Sequence, residues 1–267
     1  MARAGLVIVV IFVLMAALTP LVHVYDAKTD SNLMLRLKPP TLAHPFGTDT
    51  LGRDLLVRVL HATRVTLGLA VSAVAVAALV GSLIGLIGGY LGGRTDVALM
   101  FIMDILLAFP GTLLAIAIVA MMGPGLRNSL FAISLVSIPS YARLSRAAVL
   151  SVREQEFVTA ARGIGGSGQR VLLTHIVPNS LPPLIVQTTL AIAFAILEAA
   201  ALGFLGLGAQ PPTPEWGAML ADSYKYFTSG AWWAFLFPGA AIMLSVLGFN
   251  LLGDGLRDAL DPRLGGS

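Results

Sequence analysis

Long, mostly apolar stretches with few charged side chains are the feature that most constrains the fold of this chain. Six such stretches of about 20 mostly apolar residues recur along the sequence, and a helix of that length crosses the hydrocarbon core of a bilayer. Hydrophobic residues make up 57% of the 267 residues and charged residues only 12%, against about 25% charged residues in a soluble domain. A soluble protein of this size has too little interior to bury so much apolar surface. The sequence therefore predicts an all-α integral membrane protein with six transmembrane helices.

The predicted spans coincide with the apolar stretches, and polar segments separate them. The first runs from Gly5 to about His23, and we interpret it as a retained span because it is longer than the apolar core of a signal peptide. The other five are expected at about 65–90, 97–121, 129–149, 180–206 and 232–252. This division gives a first transmembrane helix at 1–23, an external segment at 24–64, and a core at 65–267 that holds five helices.

Basic residues set the expected orientation, because short cytoplasmic loops are enriched in Lys and Arg. An even number of spans places both termini on the same side of the membrane. With cytoplasmic termini, and with the long 24–64 segment set aside, nine basic residues lie inside and two lie outside. Both termini are therefore expected in the cytoplasm. The basic residues form no dense stripe, so no nucleic acid is expected as a partner.

Small residues recur at four-residue spacing on two predicted spans. One series is Gly81, Gly85, Gly89 and Gly93, and the other is Ala191, Ala195, Ala199 and Gly203. Such stripes allow helix backbones to approach closely in a membrane, where little hydrophobic force drives helices together. We interpret both as packing surfaces rather than as the lining of a path. The sequence does not distinguish packing within the chain from packing against a partner.

Two acidic residues fall within the predicted spans, and an ionisable group at that depth is a functional hypothesis. Glu198 lies toward the outer half of the fifth span, and Asp104 lies near the cytoplasmic end of the third. Both are candidates to line an aqueous path through the membrane. The alternative is that they are structural groups, and the sequence leaves both interpretations open.

Signatures of catalysis and of nucleotide binding do not occur. The chain has neither a Walker A motif nor the H-E-x-x-H and G-x-S-x-G motifs. It has no Cys, and its four His are widely separated, so no metal site is expected. The sequence disfavours an enzyme and predicts no cofactor in this chain.

The polar stretch at 151–178 carries the most informative pattern. Glu156 favours a helix N-terminus, and four apolar residues follow at helical spacing: Phe157, Ala160, Ala161 and Ile164. Gly163 and Gly165 then permit a tight turn, and a second short helix is expected from Gln169 to His175, before Pro178. A solvated loop is the alternative, but it has no need of apolar residues on helical faces. The pattern favours a cytoplasmic helix-turn-helix that docks a soluble partner.

This stretch resembles the EAA loop of ABC-importer permeases, in which Glu-Ala-Ala is followed after three residues by Gly and after nine more by Ile-x-Leu-Pro. Thr159-Ala160-Ala161, Gly165 and residues 175–178 occupy these places with the same spacing. Thr159 replaces the Glu, His175 replaces the Ile and Val177 replaces the Leu. The carboxylate nearest in sequence to the missing Glu is Glu156, one turn earlier.

Further blocks are similar to one branch of these permeases, the second permease subunit of dipeptide, oligopeptide and nickel importers. They lie at 44–54, 104–110, 204–217 and 250–263. The similarity runs from about His44 to the C-terminus, so it covers most of the chain. The resemblance implies the ABC-importer permease fold and a place in the inner membrane of a bacterial cell.

The resemblance also implies a division of labour between chains. A related second permease would complete the pathway, two ATPase subunits would bind ATP and Mg²⁺, and an external solute-binding protein would deliver a short peptide or a related solute such as a nickel complex. The residues that it assigns to ATPase coupling are Glu156, Phe157, Thr159, Ala160, Ala161, Gly163, Ile164, Gly165 and Pro178. The alternative function is a secondary transporter or channel that works without ATP, which broken helices and buried ion ligands would favour.

Overall fold

The computed structural model describes residues 1–22, 26 and 30–260, and helices dominate these residues. The helices are α1 (Ala2–Val22), α2 (Leu55–Leu91), α3 (Gly93–Leu107), α4 (Gly111–Met122), α5 (Leu126–Arg153), α6 (Glu156–Gly163), α7 (Gly168–Val171), α8 (Val177–Phe204), α9 (Trp216–Ser223) and α10 (Trp232–Leu260). A π-helical turn, Leu172–Ile176, joins α7 to α8. The all-α class is confirmed. The predicted end of the first span at His23 and the tail beyond Leu260, with Arg263, lie outside the described residues.

The count of six membrane spans is not confirmed. Within the described residues, four helical stretches are long and apolar enough to cross a membrane: α1, α2, the continuous stretch Gly168–Phe204, and α10. The pair α3 and α4 makes a fifth if it is taken as one span, but the two helices meet at 85°. The remaining predicted span, 129–149, is helical within α5. Helix α5 has four arginines in its 28 residues, which make it too polar to be counted as a membrane span by composition alone.

Helix α2 begins at Leu55, well before the predicted start at residue 65. Asp54 caps this helix, because its side chain accepts a hydrogen bond from the amide of Val57. Arg58 was expected in the external segment at 24–64, but it lies in the first turns of α2, where it is buried against the carboxylate of Asp49. A charge that is paired within the fold does not end a helix, so α2 begins ahead of the predicted span and includes residues 55–64 of the segment predicted to be external.

Helix α2 packs along α5 through its glycine stripe, in the most extensive helix contact of the described chain. A Cβ on Gly81 would lie 2.6 Å from the carbonyl oxygen of Ile138, and a Cβ on Gly85 would lie 2.7 Å from the amide nitrogen of Arg146. Gly89 is similarly close to Arg146. Packing through this stripe is thus confirmed, and its partner is a helix of the same chain. Gly93 does not take part, since it begins α3 with open space around it.

Helix α8 crosses the centre of the bundle and uses its own small residues for packing. Ala195 and Ala199 are buried there. A Cβ on Gly203 would meet the carboxylate of Glu215 and the backbone of Ala218, at the start of α9. The second predicted stripe is therefore a packing surface from Ala195 to Gly203, whereas its first member, Ala191, is half-buried and borders a cleft.

We expect the two glycines Gly85 and Gly68 of α2 to respond oppositely to substitution by alanine. Gly85→Ala would push the α2 and α5 backbones apart and lower stability by about 1–3 kcal/mol. Gly68 has no atom within 4 Å of its Cβ direction, so Gly68→Ala keeps or slightly raises stability through its better helix propensity. Thermal unfolding of the solubilised protein measures both. Equal midpoints for the two variants would contradict the close contact.

Candidate functional site

The 151–178 segment folds as the helix α6, a tight turn, and a second helical stretch. Gly165 forms the turn with φ +87°, a left-handed conformation that side chains with a Cβ disfavour. The second predicted helix, 169–175, is not separate from the fifth span. Gly168 to Phe204 is one continuous helical stretch, in which the π-helical turn directly precedes Pro178, whose ring nitrogen has no hydrogen to donate. The predicted break before Pro178 is thus wrong.

A small buried cluster fastens this segment to the rest of the bundle. Val158 of α6 and Val171 of α7 are buried against Val149 of α5 and Ile176 of the π-helical turn. The Tyr90 hydroxyl, at the end of α2, donates a hydrogen bond to the carbonyl oxygen of Gly168 at 2.9 Å. The segment therefore packs against, and is hydrogen-bonded to, the ends of α2 and α5, and it is not a solvated loop.

The opposite side of α6 faces outward and is partly apolar. Phe157 is 44% exposed and Ile164 is 90% exposed. The predicted coupling residues that are exposed are Glu156, Phe157, Thr159, Ala160, Gly163, Ile164, Gly165 and Pro178, whereas Ala161 is half-buried. We call these exposed residues the coupling surface. Val158, which anchors α6 on the side that faces the bundle, was not predicted from the sequence. The available signal was that Val158 lies three residues before Ala161, which is helical spacing.

Glu198 lies on the same continuous helix as the coupling segment, but deep in the bundle. Its Oε1 accepts a hydrogen bond of 2.6 Å from the hydroxyl of Thr112, in the first turn of α4. Its Oε2 is buried and has no hydrogen-bond partner among the described residues. The carboxylate lies beside the positive end of the α4 dipole, which favours negative charge. It therefore links α8 to the helix that follows the break in the α3–α4 pair.

Asp104 lies in an open cleft between α3 and α5. Its carboxylate accepts a hydrogen bond of 2.6 Å from Arg143, and the two side chains are 56% and 54% exposed. Two turns earlier on α3, Asp96 makes a bidentate ion pair with Arg146. The cleft measures about 580 Å³. Its residues are Asp96, Val97, Met100, Phe101, Asp104, Arg143 and Arg146.

A second cleft of about 410 Å³ continues along the same helices toward Glu198. Its polar residues are Ser137, Ser140, Tyr141 and Gln187. Ser140 lies one helical turn from Arg143, and Gly111, also in the lining, precedes the Thr112 that binds Glu198. We call the two clefts together the polar seam. Of the two acidic candidates from the sequence, Asp104 lines the seam, whereas Glu198 is buried behind it and lines neither cleft.

Neither ion pair between α3 and α5 was anticipated from the sequence. The signal was present in the spacing, since Asp96 and Asp104 are eight residues apart and Arg143 and Arg146 are three apart, so each pair shares one helical face. The missing information was that α3 and α5 are neighbours. No group of three His, Cys, Asp or Glu within the described residues is placed to hold a metal ion.

Glu215 is a further buried acid that the sequence analysis did not single out. Its carboxylate accepts hydrogen bonds from the amides of Gly217 and Ala218, at the start of α9, and from the hydroxyl of Thr66. Burial raises the pKa of this carboxyl, and the three hydrogen bonds partly offset the rise. All three hydrogen-bond partners are groups of this chain, so Glu215 has a structural role: it fixes α9 against α2 and α8.

Comparison with known proteins adds a family context. The family model described as "Binding-protein-dependent transport system inner membrane component" matches residues 81–266, and the "N-terminal TM domain of oligopeptide transport permease C" matches residues 1–40. The chain is 51% identical to the dipeptide transport system permease protein DppC of Alkalihalophilus pseudofirmus, over 99% of this chain and 86% of the relative.

Other relatives carry related names. The di/tripeptide transport system permease protein DppC of Pseudomonas aeruginosa is 48% identical over 98% of this chain and 88% of its own length. The glutathione transport system permease protein GsiD of Escherichia coli is 46% identical over 100% of this chain and 88% of its own length. In fold, the chain is similar to an inward-facing structure of the MetNI methionine ABC transporter. That match has a TM-score of 0.61 and 18% identity, and it covers 78% of this chain and 98% of the other.

We expect Val158→Ala to loosen α6 from the bundle while leaving the coupling surface chemically unchanged. The substitution removes two buried methyl groups, each of which contributes about 0.8 kcal/mol, so the packing of α6 on the bundle loses about 1.5 kcal/mol of stabilisation. That loss corresponds to roughly a tenfold rise in local opening. Hydrogen exchange of the amides of residues 156–164 measures it. Thr159→Ala, at an exposed position of the same helix, is the control, and equal exchange in both variants would refute the anchoring role of Val158.

Proposed function

This chain belongs to the family of binding-protein-dependent transport system inner membrane components, and from that membership we propose that it forms half of the translocation pathway of an ATP-driven importer of short peptides. The relatives described above are named for dipeptides, tripeptides and glutathione, and all of these are short peptides. None of the three is named for nickel. The proposed cargo is therefore a peptide rather than a nickel complex.

The coupling surface is the proposed binding site for a separate ATPase chain. One observation carries this proposal: Phe157 on α6 and Ile164, the residue that directly follows α6, are presented to solvent, while the buried Val158 anchors the helix to the bundle. A large apolar side chain on a rigid exposed helix is typical of a docking contact. ATP and Mg²⁺ bind to the two ATPase chains in this proposal, and this chain contributes no catalytic group.

The same proposal fixes the orientation of the chain. If the ATPases bind α6 from the cytoplasm, α5 ends and α8 begins on the cytoplasmic side. The segment between α8 and α10, with α9, then lies outside, where an external solute-binding protein delivers the cargo. The termini are cytoplasmic, in agreement with the distribution of Lys and Arg in the short loops. A homologous second permease completes the pathway.

Transmission of movement is the proposed role of the continuous helix from Gly168 to Phe204. Closure of the ATPases displaces α6 and α7. Helix α8 moves with α7, because no loop separates these two helices. The hydrogen bond from Thr112 to Glu198 carries this movement to α4. The polar seam is the proposed lining of the pathway, with Asp104 in its wall and Glu198 buried behind the start of α4.

The alternative of a transporter that works without ATP is not supported. The break between α3 and α4 does resemble the discontinuous helices of secondary transporters. At this break, however, Glu198 of the same chain occupies the start of α4. Family membership, and an exposed apolar helix that a transporter without ATPase partners has no need of, both favour the importer.

Gly165→Val is expected to uncouple uptake from ATP hydrolysis. A β-branched residue is strained at φ +87°, by about 1–2 kcal/mol, so the turn rearranges and the coupling surface is displaced. Peptide uptake should fall about fivefold or more, with the chain still present in the membrane. Gly123→Val is the matched control, because Gly123 has a similar φ of +91° and open space around it but lies between α4 and α5, outside the coupling surface. Normal uptake and normal ligand-stimulated ATP hydrolysis in Gly165→Val would contradict the lever role.

A further inference from the structure

The ion pair between Asp104 and Arg143 is unusual because it lies far along α5 from the end of that helix, and because both of its side chains are exposed. Arg143 lies ten residues before Arg153, the last residue of α5, which places it about 15 Å along the helix from that end. Both side chains are more than half exposed in this chain. Two ionised side chains are costly to expose to lipid, so this face of the seam borders water or another protein.

The neighbouring pair of Asp96 and Arg146 differs in a way that suggests separate roles. Arg146 donates two hydrogen bonds to the Asp96 carboxylate, and the Asp96 side chain is only 14% exposed. This partly buried bidentate pair, in which the Arg146 side chain is 36% exposed, holds α3 against α5. Asp104 and Arg143 share a single hydrogen bond between exposed groups. An exposed pair of this kind contributes little to stability, so it can open at small cost to the fold.

The cleft around this pair has the size and chemistry of a small-molecule site. Its volume of about 580 Å³ falls within the range of about 300–1,000 Å³ that is usual for such sites. Its lining holds the two ion pairs, of which Asp104 and Arg143 are the more exposed, together with the apolar side chains of Val97, Met100 and Phe101. The site therefore offers opposite charges at a short separation next to an apolar surface.

We infer that Asp104 and Arg143 form a transient binding site for a zwitterionic cargo, whose ammonium group binds Asp104 and whose carboxylate binds Arg143. The inference rests on the proposed function, and it adds the residues and the charge class that the pathway recognises. The ion pair opens to admit the cargo and re-forms when the cargo leaves. Charge-assisted hydrogen bonds within the protein are exchanged for equivalent bonds to the cargo.

Charge balance explains why a zwitterion suits this site. When both termini bind, each protein charge keeps an opposite partner and the cleft remains neutral. A solute with a single charge leaves one of the two side chains without an opposite partner and forms only one of the two charge-assisted contacts, so it binds more weakly. The side chains of the cargo rest against the apolar wall, which has no hydrogen-bonding specificity, so peptides of varied sequence are accepted.

Cysteine protection in the assembled transporter tests this inference. The chain has no native Cys, so Val97→Cys places one thiol in the wall of the cleft, at a position that is 70% exposed. A water-soluble maleimide labels it, and the subunits are separated by size afterwards. Dialanine should slow the labelling in a saturable way, by about fivefold when its concentration is about four times its dissociation constant. N-acetyl-dialanine amide, which has the same backbone and no charge, should not protect.

Three controls make the outcomes decisive. Asp104→Asn and Arg143→Gln, each combined with Val97→Cys, should abolish protection by dialanine while the thiol still reacts. Leu260→Cys, at the far end of α10, should react equally with and without dialanine, which separates occupancy of the cleft from a global change. The comparison of dialanine with its uncharged derivative needs only Val97→Cys, so it stands even if a charge variant fails to assemble.

The inference is overturned by equal protection from both compounds, by no protection, or by a Val97→Cys thiol that is inaccessible because the second permease covers the cleft. ATP-driven uptake of dialanine into the same vesicles separates these results from the proposed function. Uptake with an unprotected cleft overturns the zwitterion site alone. Failure to take up any short peptide overturns the proposed function and the inference with it.

Discussion

The contact between the α2 and α5 backbones at Gly81 and Gly85 is the interaction on which the rest of the structure depends. Because these glycines have no Cβ, α5 lies close enough to α2 for its backbone to fill the space. This position brings Val149, near the end of α5, beneath α6, and it turns Arg143 and Arg146 toward α3. One helix thus supports the coupling surface at its end and the polar seam along its side.

The polarity of α5 follows from this position. A lipid-facing helix cannot hold arginines near the bilayer centre without cost, but α5 is bordered by α2, α3, α4 and α8. Asp96 and Asp104 pair with two of its arginines, and Arg153 donates a hydrogen bond to the carbonyl oxygen of Gly89 at the end of α2. Arg143, Arg146 and Arg153, which contribute to excluding α5 from a count of apolar spans, are thus the groups that fix α5 to its neighbours.

Much of the fold could be predicted from local pattern, and the differences arise from contacts between distant residues. The apolar stretches located the helices, and the glycine spacing identified a packing surface. The start of α2 was missed because the partner of Arg58 is Asp49, in a loop that the apolar pattern does not describe. The continuity of the helix through Pro178 was missed because a π-helical turn accommodates the proline. At the candidate site, the sequence located α6 and both acidic residues, but not Val158 or the arginine partners, because these depend on which helices are neighbours.

The central claim is that this chain receives its energy mechanically, through the coupling surface of α6. A photo-crosslinking residue in place of Ile164, in the intact transporter, tests it most directly, because this side chain is 90% exposed and its neighbours in the assembly define the function of the surface. The account predicts a crosslinked product with a separate ATP-hydrolysing subunit. A product with lipid alone, or with the external solute-binding protein, would contradict both the orientation and the mechanism.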